Sequence, residues 1–272
     1  MENLLVERVA FEIFGMPIYW YGIIITSAIL LDFVILCFTL KKRGEKSDLA
    51  IDLLLFLVPL GIVGARLFSV LFEPELSILD FFAFRDGGMS IIGGVIGGLI
   101  GLVLFCLIKK RNFLEMADYI APLLILAQAI GRWGNYFNCE VYGKEITDKA
   151  LQWFPYAVNV NGDWYMALFF YESMLNLIGF VLLISLFFIK KRKPGILTAT
   201  YFCFYGTVRF LMEGLRQDEY ILKFGNLPIS KLFSGLMVLA GLGIFAYIII
   251  KKYKEDKRTM VENNGKEKTN TI

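Results

Sequence analysis

Apolar residues follow one another in seven long runs, and short polar segments separate these runs. The runs lie near 18–40, 49–70, 88–108, 115–134, 167–189, 195–214 and 229–250. Each run is close to the roughly 20 apolar residues that an α-helix needs to cross a bilayer. The pattern therefore predicts an all-α, polytopic membrane protein with seven transmembrane helices.

Basic residues follow every second run. The four basic clusters are KKRGEK (41–46), KKR (109–111), KKRK (190–193) and KKYKEDKR (251–258). Because such clusters stay on the cytoplasmic side, they predict an N-terminus outside and a C-terminus in the cytoplasm. The first run is followed by lysines and an arginine rather than by a small-residue cleavage site. It is therefore predicted to be a retained span and not a signal peptide.

The pattern predicts one transmembrane domain over 1–250 and a polar cytoplasmic tail over 251–272. The composition of the tail is typical of disorder. Two outer segments, 1–14 and 75–88, place aromatic residues where the headgroups of a bilayer would lie. They are predicted either to lie in the interface or to form ordinary outer loops.

Composition agrees with a membrane protein and excludes several kinds of site. Hydrophobic residues make up 57% of the chain, against about 45–50% in soluble domains, and the mean hydropathy is +0.61. The sequence has no histidine, which excludes a histidine-based triad, metal site or general base. Its 4 cysteines form no CxxC pair, and we interpret them as small hydrophobic residues.

Polar residues inside the predicted spans fall in the outer halves, while the inner halves are predicted to hold only flanking basic residues. The outer polar residues are Tyr21, Arg66, Arg132, Asn135, Asn138, Glu140, Glu172, Tyr205, Arg209, Glu213 and Arg216. Charged groups at that depth are costly unless they are paired, so they are functional candidates.

Helical spacing groups many of these residues into three polar stripes. The stripes are Gln128–Arg132–Asn135, Glu172–Asn176 and Tyr205–Arg209–Glu213–Arg216, since residues three or four apart share a helix face. Glu213 either has a functional role or neutralises Arg209 or Arg216. Arg132 and Arg209 have the same charge at a similar depth and cannot neutralise each other, so they predict an external anion.

Glycines repeat every fourth residue at 93, 97 and 101, and again at 94 and 98. Such repeats allow two helices to approach closely. The alternative is that they leave room for a bulky neighbour such as a lipid chain.

Two arginines in a site of low dielectric bind phosphate through planar, bidentate contacts. The phosphates nearest to an outer-leaflet site are those of phospholipid headgroups. The neighbouring asparagines and glutamate suit hydroxyl groups, such as those of a glycerol headgroup. The residues therefore predict a phospholipid site where arginines stabilise a departing phosphate as a nucleophile displaces it. They do not indicate the second substrate.

The segment GRWGNYFNCEVYG (131–143) resembles the signature G-R-x-G-N-x-x-N-x-E-x-x-G of bacterial prolipoprotein diacylglyceryl transferases. Five further motifs follow the family's order: WYGI (20–23), GARL (64–67), DGGMSIIGG (86–94), YE (171–172) and YGTVRFLMEGLRQD (205–218). The resemblance implies an enzyme of the bacterial cytoplasmic membrane with its active site toward the outer leaflet. Its reaction transfers the diacylglyceryl group of phosphatidylglycerol to a lipobox cysteine of secreted prolipoproteins, the first step of lipoprotein maturation. The products are a thioether and glycerol phosphate.

The resemblance also implies roles for individual residues. Arg132 and Arg209 would hold the headgroup and stabilise the leaving phosphate. The other residues implied to be in the site are Asn135, Asn138 and Glu140 around the headgroup, and Tyr21, Glu172, Tyr205, Glu213 and Arg216 along its lining. The implied partners are phosphatidylglycerol, the signal peptides of prolipoproteins and membrane lipid, with no nucleic acid, cofactor or metal.

Two positions depart from the family's pattern. Ile92 stands where many relatives have histidine or tyrosine, so the group that deprotonates the incoming thiol is open. The candidates are the carboxylates of Glu140 and Glu213, then Tyr21, or water assisted by the positive field of the arginines. Cys139 stands where glycine is common, and the family's mechanism needs no nucleophile from the enzyme.

Three alternatives to an active transferase remain at this point. A lipid transporter would also have buried charges, although it would favour internal repeats and a site near the midplane. A structural membrane protein would not need three polar stripes at one depth. An inactive family member is suggested by Ile92.

Overall fold

A computed structural model describes residues 8–72, 77–82, 88–138, 140–160, 162–190, 192–217, 221, 223–224 and 227–269. These residues contain the helices α1 (Trp20–Lys42), α2 (Asp48–Phe72), α3 (Ile91–Ile108), α4 (Phe113–Phe137), α5 (Leu168–Phe187), α6 (Ile196–Met212) and α7 (Ile229–Thr269). Each helix overlaps most of one predicted apolar run. The predominantly helical character is thereby confirmed.

Six of the helices in the described part of the chain are long and apolar enough to cross a membrane. The exception is α6, which has 17 residues and contains Arg209. At 1.5 Å per residue it is about 26 Å long, slightly short of a hydrocarbon core of about 30 Å. A multi-span protein is thus supported, whereas the seven-span topology stays a prediction.

The structure also contains three antiparallel β-hairpins, which the all-α prediction did not include. They pair β1 (Val9–Ile13) with β2 (Met16–Tyr19), β3 (Ala157–Val160) with β4 (Asp163–Met166), and β5 (Lys223–Phe224) with β6 (Leu227–Pro228). Strands this short carry too few residues for an alternating pattern to be recognised. In the first hairpin, Phe14 and Gly15 have positive φ values of 52° and 75°, and Phe14 is almost fully exposed.

The polar tail also differs from its prediction. Helix α7 continues through Thr269, so the prediction of disorder is wrong for residues 251–269. The tail is rich in lysine and glutamate, which have good helix propensity, and it extends a helix that is already nucleated. Within the second outer segment, Ile78–Phe82 forms a 3₁₀ helix, whereas Phe84, Arg85 and Asp86 lie outside the described residues.

The chain divides into two compact units, and the first comprises residues 30–120. Here α2 and α3 pack through the glycine repeat. A Cβ atom on Gly97 would lie 2.1 Å from the carbonyl oxygen of Leu60, and one on Gly101 would lie 2.6 Å from that of Phe56. Close helix packing is therefore confirmed for the repeat at 93, 97 and 101. The neighbouring Gly98 has open space around it.

Gly97→Ala is expected to lower the free energy of unfolding by about 1–3 kcal/mol, because the added methyl group forces α2 and α3 apart. Gly98→Ala is the matched control, since its Cβ would meet no atom within 4 Å. It is expected to be neutral or stabilising because alanine is the better helix former. Thermal unfolding in detergent measures both variants, and equal effects would contradict the packing argument.

Ion pairs join two of the basic clusters within this unit. Arg111 contacts both carboxylate oxygens of Glu45, at 3.0 and 2.6 Å, and Lys109 Nζ lies 2.6 Å from Asp52 Oδ2. The chain segments that follow α1 and α3 therefore lie at the same end of the unit. This is the arrangement that the alternating basic clusters predict.

Two motifs of the sequence also meet in this unit. The buried Arg66 of GARL donates from Nη1 to the carbonyl oxygen of Gly88, at 2.9 Å. Asp32 in α1 and the fully buried Asp118 in α4 lie in what the topology prediction makes the inner halves of these spans. The prediction that those halves hold only flanking basic residues is therefore wrong.

The second unit comprises residues 1–29 and 121–272. Helices α6 and α7 approach closely at two glycines: a Cβ on Gly206 or Gly241 would lie 2.8 Å from a backbone oxygen of the other helix. The rings of Trp20 and Phe137 stack at 5.1 Å, which brings the start of α1 beside the end of α4. Lys193 Nζ lies 2.7 Å from Glu255 Oε2, so the last two basic clusters also lie together.

Candidate functional site

The GRWGN motif forms the last turns of α4, and the chain then folds back over the end of this helix. The backbone N–H of Asn138 donates to the backbone oxygen of Gly134 at 2.9 Å, and the backbone N–H of Glu140 donates to the backbone oxygen of Asn135 at 3.1 Å. Val141 follows with a φ of 59°. This reversal places the side chains of Asn138 and Glu140 beside Asn135.

Two glycines of the motif are needed for close approach. A Cβ on Gly134 would lie 2.6 Å from Cδ2 of Tyr21, so the tyrosine ring packs directly on the helix backbone. Gly143 donates from its amide to Met166 O at 3.0 Å and forms a β-bridge with Arg216. The glycine at the end of the motif therefore connects the loop to the segment that follows α6.

Glu172 on α5 is at the centre of a buried ionic network. Its carboxylate contacts Arg132 Nη2 through Oε2, and its Oε1 lies 3.2 Å from Arg209 Nη1 and 3.6 Å from Arg216 Nη2. Only 2% of its side chain is exposed. Three arginines from three separate segments thus share one carboxylate.

Glu213 is the second carboxylate of the network and is fully buried. Its Oε2 lies 3.2 Å from Arg209 Nη2 and 3.5 Å from Arg216 Nε. The spacings along the chain are four and three residues, so the predicted helix face is confirmed. The interpretation of Glu213 as a counter-ion to Arg209 and Arg216 is also confirmed.

We call Arg132, Glu172, Arg209, Glu213 and Arg216 the arginine cluster. Its three guanidinium groups face two carboxylates, so the cluster has one positive charge in excess. The argument that Arg132 and Arg209 require an external anion is wrong in one respect, because Glu172 pairs with both. The stripe spacing along each helix could not show this contact between helices.

Arg216 is the most buried arginine of the cluster, and burial shifts its pKa. Burial, and then the positive charge of Arg209, lower the pKa of the Arg216 guanidinium to about 10. The guanidinium therefore stays charged at neutral pH.

The side-chain amide of Asn135 connects the arginine cluster to Glu140. Arg132 Nη1 donates to Asn135 Oδ1 at 3.4 Å, and Asn135 Nδ2 donates to Glu140 Oε1 at 3.1 Å. Asn138 Nδ2 donates to the same oxygen at 3.3 Å. Tyr21 lies within electrostatic range of Glu140 and Arg132. The structure therefore brings together the predicted site residues of α1, α4 and the loop that follows α4.

Beyond the ionic groups, the polar stripes continue into the helices. Gln128 Nε2 donates to the hydroxyl of Tyr201 at 2.9 Å, and the ring of Tyr201 stacks on Tyr205 at 5.6 Å. Asn176 is fully buried, and neither atom of its amide has a hydrogen-bond partner among the described residues. Sequence reasoning identified Tyr205 but not its stacking partner Tyr201, since an aromatic residue in an apolar run gives no distinct signal.

An apolar groove of about 410 Å³ is lined by residues of α1, α4 and α5. Its walls include Trp20 and Ile24 of α1, Ala129 and Trp133 of α4, and Leu177 of α5. Trp133 donates its indole N–H to Ser173 Oγ at 3.2 Å, so its polar group is satisfied within the protein. The groove thus presents an almost wholly apolar surface.

Of the remaining candidates, Arg66 and Ile92 belong to the unit formed by residues 30–120. Ile92 lies in the first turn of α3 and is half-exposed. Its apolar side chain cannot exchange a proton. Cys139 lies outside the described residues.

Comparison with known proteins now decides the family. The sequence profile of the prolipoprotein diacylglyceryl transferases matches residues 8–247. The chain belongs to this family. Phosphatidylglycerol–prolipoprotein diacylglyceryl transferase 1 of Clostridium perfringens is 39% identical over 257 residues, which cover 92% of this chain and 97% of that protein.

Two further relatives have the same breadth of similarity. The phosphatidylglycerol–prolipoprotein diacylglyceryl transferase of Finegoldia magna is 37% identical, over 92% of this chain and 96% of its own length. That of Listeria monocytogenes serotype 4a is 34% identical, over 92% of this chain and 94% of its own length. The range matched by the family profile, 8–247, spans the GRWGN motif, the arginine cluster and most of both compact units.

Proposed function

We propose that the chain transfers the diacylglyceryl group of phosphatidylglycerol to the lipobox cysteine of secreted prolipoproteins. The observation that carries this proposal is the arginine cluster, in which three arginines, each with at most 16% of its side chain exposed, outnumber two carboxylates. Arg132 of this cluster belongs to the GRWGN motif. A phosphodiester headgroup has the single negative charge that this excess positive charge would bind. Family membership argues against the transporter and scaffold alternatives.

The reaction is a displacement at carbon. The sulfur of the prolipoprotein cysteine forms a C–S bond to the glyceryl carbon, and the C–O bond to phosphate breaks. The electron pair of that bond leaves with the phosphate oxygen, so glycerol phosphate departs with an additional negative charge. Arg132 and Arg209 stabilise this developing charge from fixed positions, because both are already oriented by Glu172.

The other site residues have supporting roles. Asn135 and Asn138 shape the headgroup pocket, and Tyr21, Tyr205 and Arg216 line it. Each arginine has five N–H donors, so its contacts with Glu172 or Glu213 leave donors for phosphate oxygens. The apolar groove beside Trp20 and Trp133 accommodates an acyl chain of the lipid.

The proposed setting is the bacterial cytoplasmic membrane, with seven spans, the N-terminus outside and the site toward the outer leaflet. Ion pairs that join consecutive basic clusters within each unit support this topology. Helix α6 completes the seven spans, and Arg209 lies in its last turn. Because this helix is short, its ionic end lies just inside the apolar region, where pairing by Glu172 and Glu213 is required.

A reconstituted transfer assay tests the proposal. Purified protein is mixed with phosphatidylglycerol vesicles and a lipobox peptide, and mass spectrometry follows the peptide. We expect a diacylglyceryl thioether on the cysteine and an equal amount of released glycerol phosphate. Phosphatidylcholine with the same acyl chains is the lipid control. An absent adduct, with the Clostridium perfringens relative active beside it, would identify an inactive family member.

A further inference from the structure

Among the described residues the site contains three carboxylates, and their environments divide them into two kinds. Glu172 contacts three arginines, and Glu213 contacts two. Glu140 instead accepts hydrogen bonds from the neutral amides of Asn135 and Asn138. Among the described residues no arginine or lysine forms an ion pair with Glu140.

The amide contacts leave one oxygen of Glu140 available. Asn135 and Asn138 both donate to Oε1, and Oε2 accepts no hydrogen bond from any residue in the described part of the chain. Arg132 donates to Asn135 Oδ1, which fixes the orientation of that amide with its NH₂ group toward Glu140. Glu140 is therefore held in place through Oε1, and Oε2 can accept a further hydrogen bond. Only Asn135 separates it from Arg132, the arginine that we assign to the phosphate.

The proposed reaction needs such a group. The thiolate is the nucleophile, and a free cysteine with a pKa of about 8.5 is mostly protonated at neutral pH. The chain has no histidine, and the position of Ile92 offers no base. The proton acceptor is therefore either water or one of the remaining residues of the site.

The other candidates fit this role less well. Protonation of Glu172 or Glu213 would remove a buried negative charge from two or three arginines, at a high electrostatic cost. Tyr21 is a phenol, and it must lose its own proton before its oxygen can accept another. Glu140 has neither disadvantage, because its partners are neutral amides.

We propose that Glu140 accepts the proton of the incoming prolipoprotein cysteine, a role that rests on the proposed function. The S–H proton moves to Glu140 Oε2, and the sulfur electron pair forms the C–S bond. The C–O electron pair departs with glycerol phosphate, and Glu140 later returns the proton to water. Among the described residues, Tyr21 interacts electrostatically with Glu140, and Arg132 connects to it through Asn135. Neither residue is altered in the variants below.

A selenocysteine peptide separates proton transfer from every other role of Glu140, because a selenol is already ionised at neutral pH. Glu140→Gln is expected to lower the transfer rate to a cysteine peptide by about 100-fold or more. With the selenocysteine peptide its rate is expected to be within about 3-fold of wild type. Glu145→Gln is the matched control, since Glu145 is an exposed glutamate of the same loop, and it is expected to act as wild type.

The dependence of rate on pH gives a second readout. In Glu140→Gln the rate with the cysteine peptide should rise about tenfold per pH unit below pH 8.5, because the thiolate must then form in solution. Wild type and Glu140→Asp, which keep a carboxylate, should change little over the same range.

Two results would overturn the assignment: near-wild-type transfer by Glu140→Gln, or an equal loss with both peptides and no rise with pH. The second would show that Glu140 is structural. Failure of the proposed function is distinct, since wild type would then form no adduct with either peptide.

Discussion

Arg132→Ala is expected to lower the rate of diacylglyceryl transfer by about 100- to 1,000-fold, the usual effect of removing one preorganised donor to a developing negative charge. The protein should still fold, because Glu172 retains contacts with Arg209 and Arg216. The loss is expected in kcat at saturating phosphatidylglycerol, since the charge on the phosphate grows in the transition state. Steady-state kinetics on vesicles measure it.

Arg132→Lys should recover only a small part of the rate. A lysine provides a single charged centre and cannot contact Glu172 and Asn135 from two separate nitrogens, as Arg132 does. Arg111→Lys is the matched control, because Arg111 also contacts a carboxylate from two nitrogens but lies outside the site. A folded Arg132→Ala protein with near-wild-type turnover would contradict the role of Arg132.

The helices could largely be predicted from the sequence, because long apolar runs determine where a chain can cross a bilayer. The structure differs from the prediction where an element depends on neighbouring parts of the chain rather than on its own composition. The hairpin Ala157–Val160 with Asp163–Met166 is too short to show a period, and its position depends on contacts with the GRWGN loop, such as Gly143 with Met166. The polar end of α7 is helical because it continues a helix, which composition alone does not indicate.

The sequence predicts which residues form the site, but only some of the contacts between them. Spacing within one helix correctly placed Arg209 beside Glu213, since helix geometry fixes that contact. It could not place Glu172 between Arg132 and Arg209, because these residues lie on three helices whose relative rotation is set by packing. The buried counter-ion was therefore missed, and the need for an external anion was overestimated.

Glu172→Gln is expected to lower the free energy of unfolding by about 3–5 kcal/mol, as for other buried ion pairs that lose one partner. Arg132 would then lose its carboxylate partner, only Glu213 would remain to pair with Arg209 and Arg216, and the excess positive charge of the cluster would double. Thermal unfolding in detergent measures the effect. Glu255→Gln is the control, because its pair with Lys193 is about half-exposed and exposed ion pairs contribute little to stability.

A double variant tests whether charge balance is the cause. Adding Arg216→Met to Glu172→Gln removes the most buried guanidinium of the cluster and returns the excess to one positive charge. The double variant is therefore expected to be more stable than Glu172→Gln alone, so that the two changes are not additive. Strict additivity would show that shape and packing around Glu172, rather than the arginines it neutralises, determine its contribution. Recovery of stability without recovery of transfer would separate the counter-ion role of Glu172 from the proposed roles of Glu172 and Arg216 in the site.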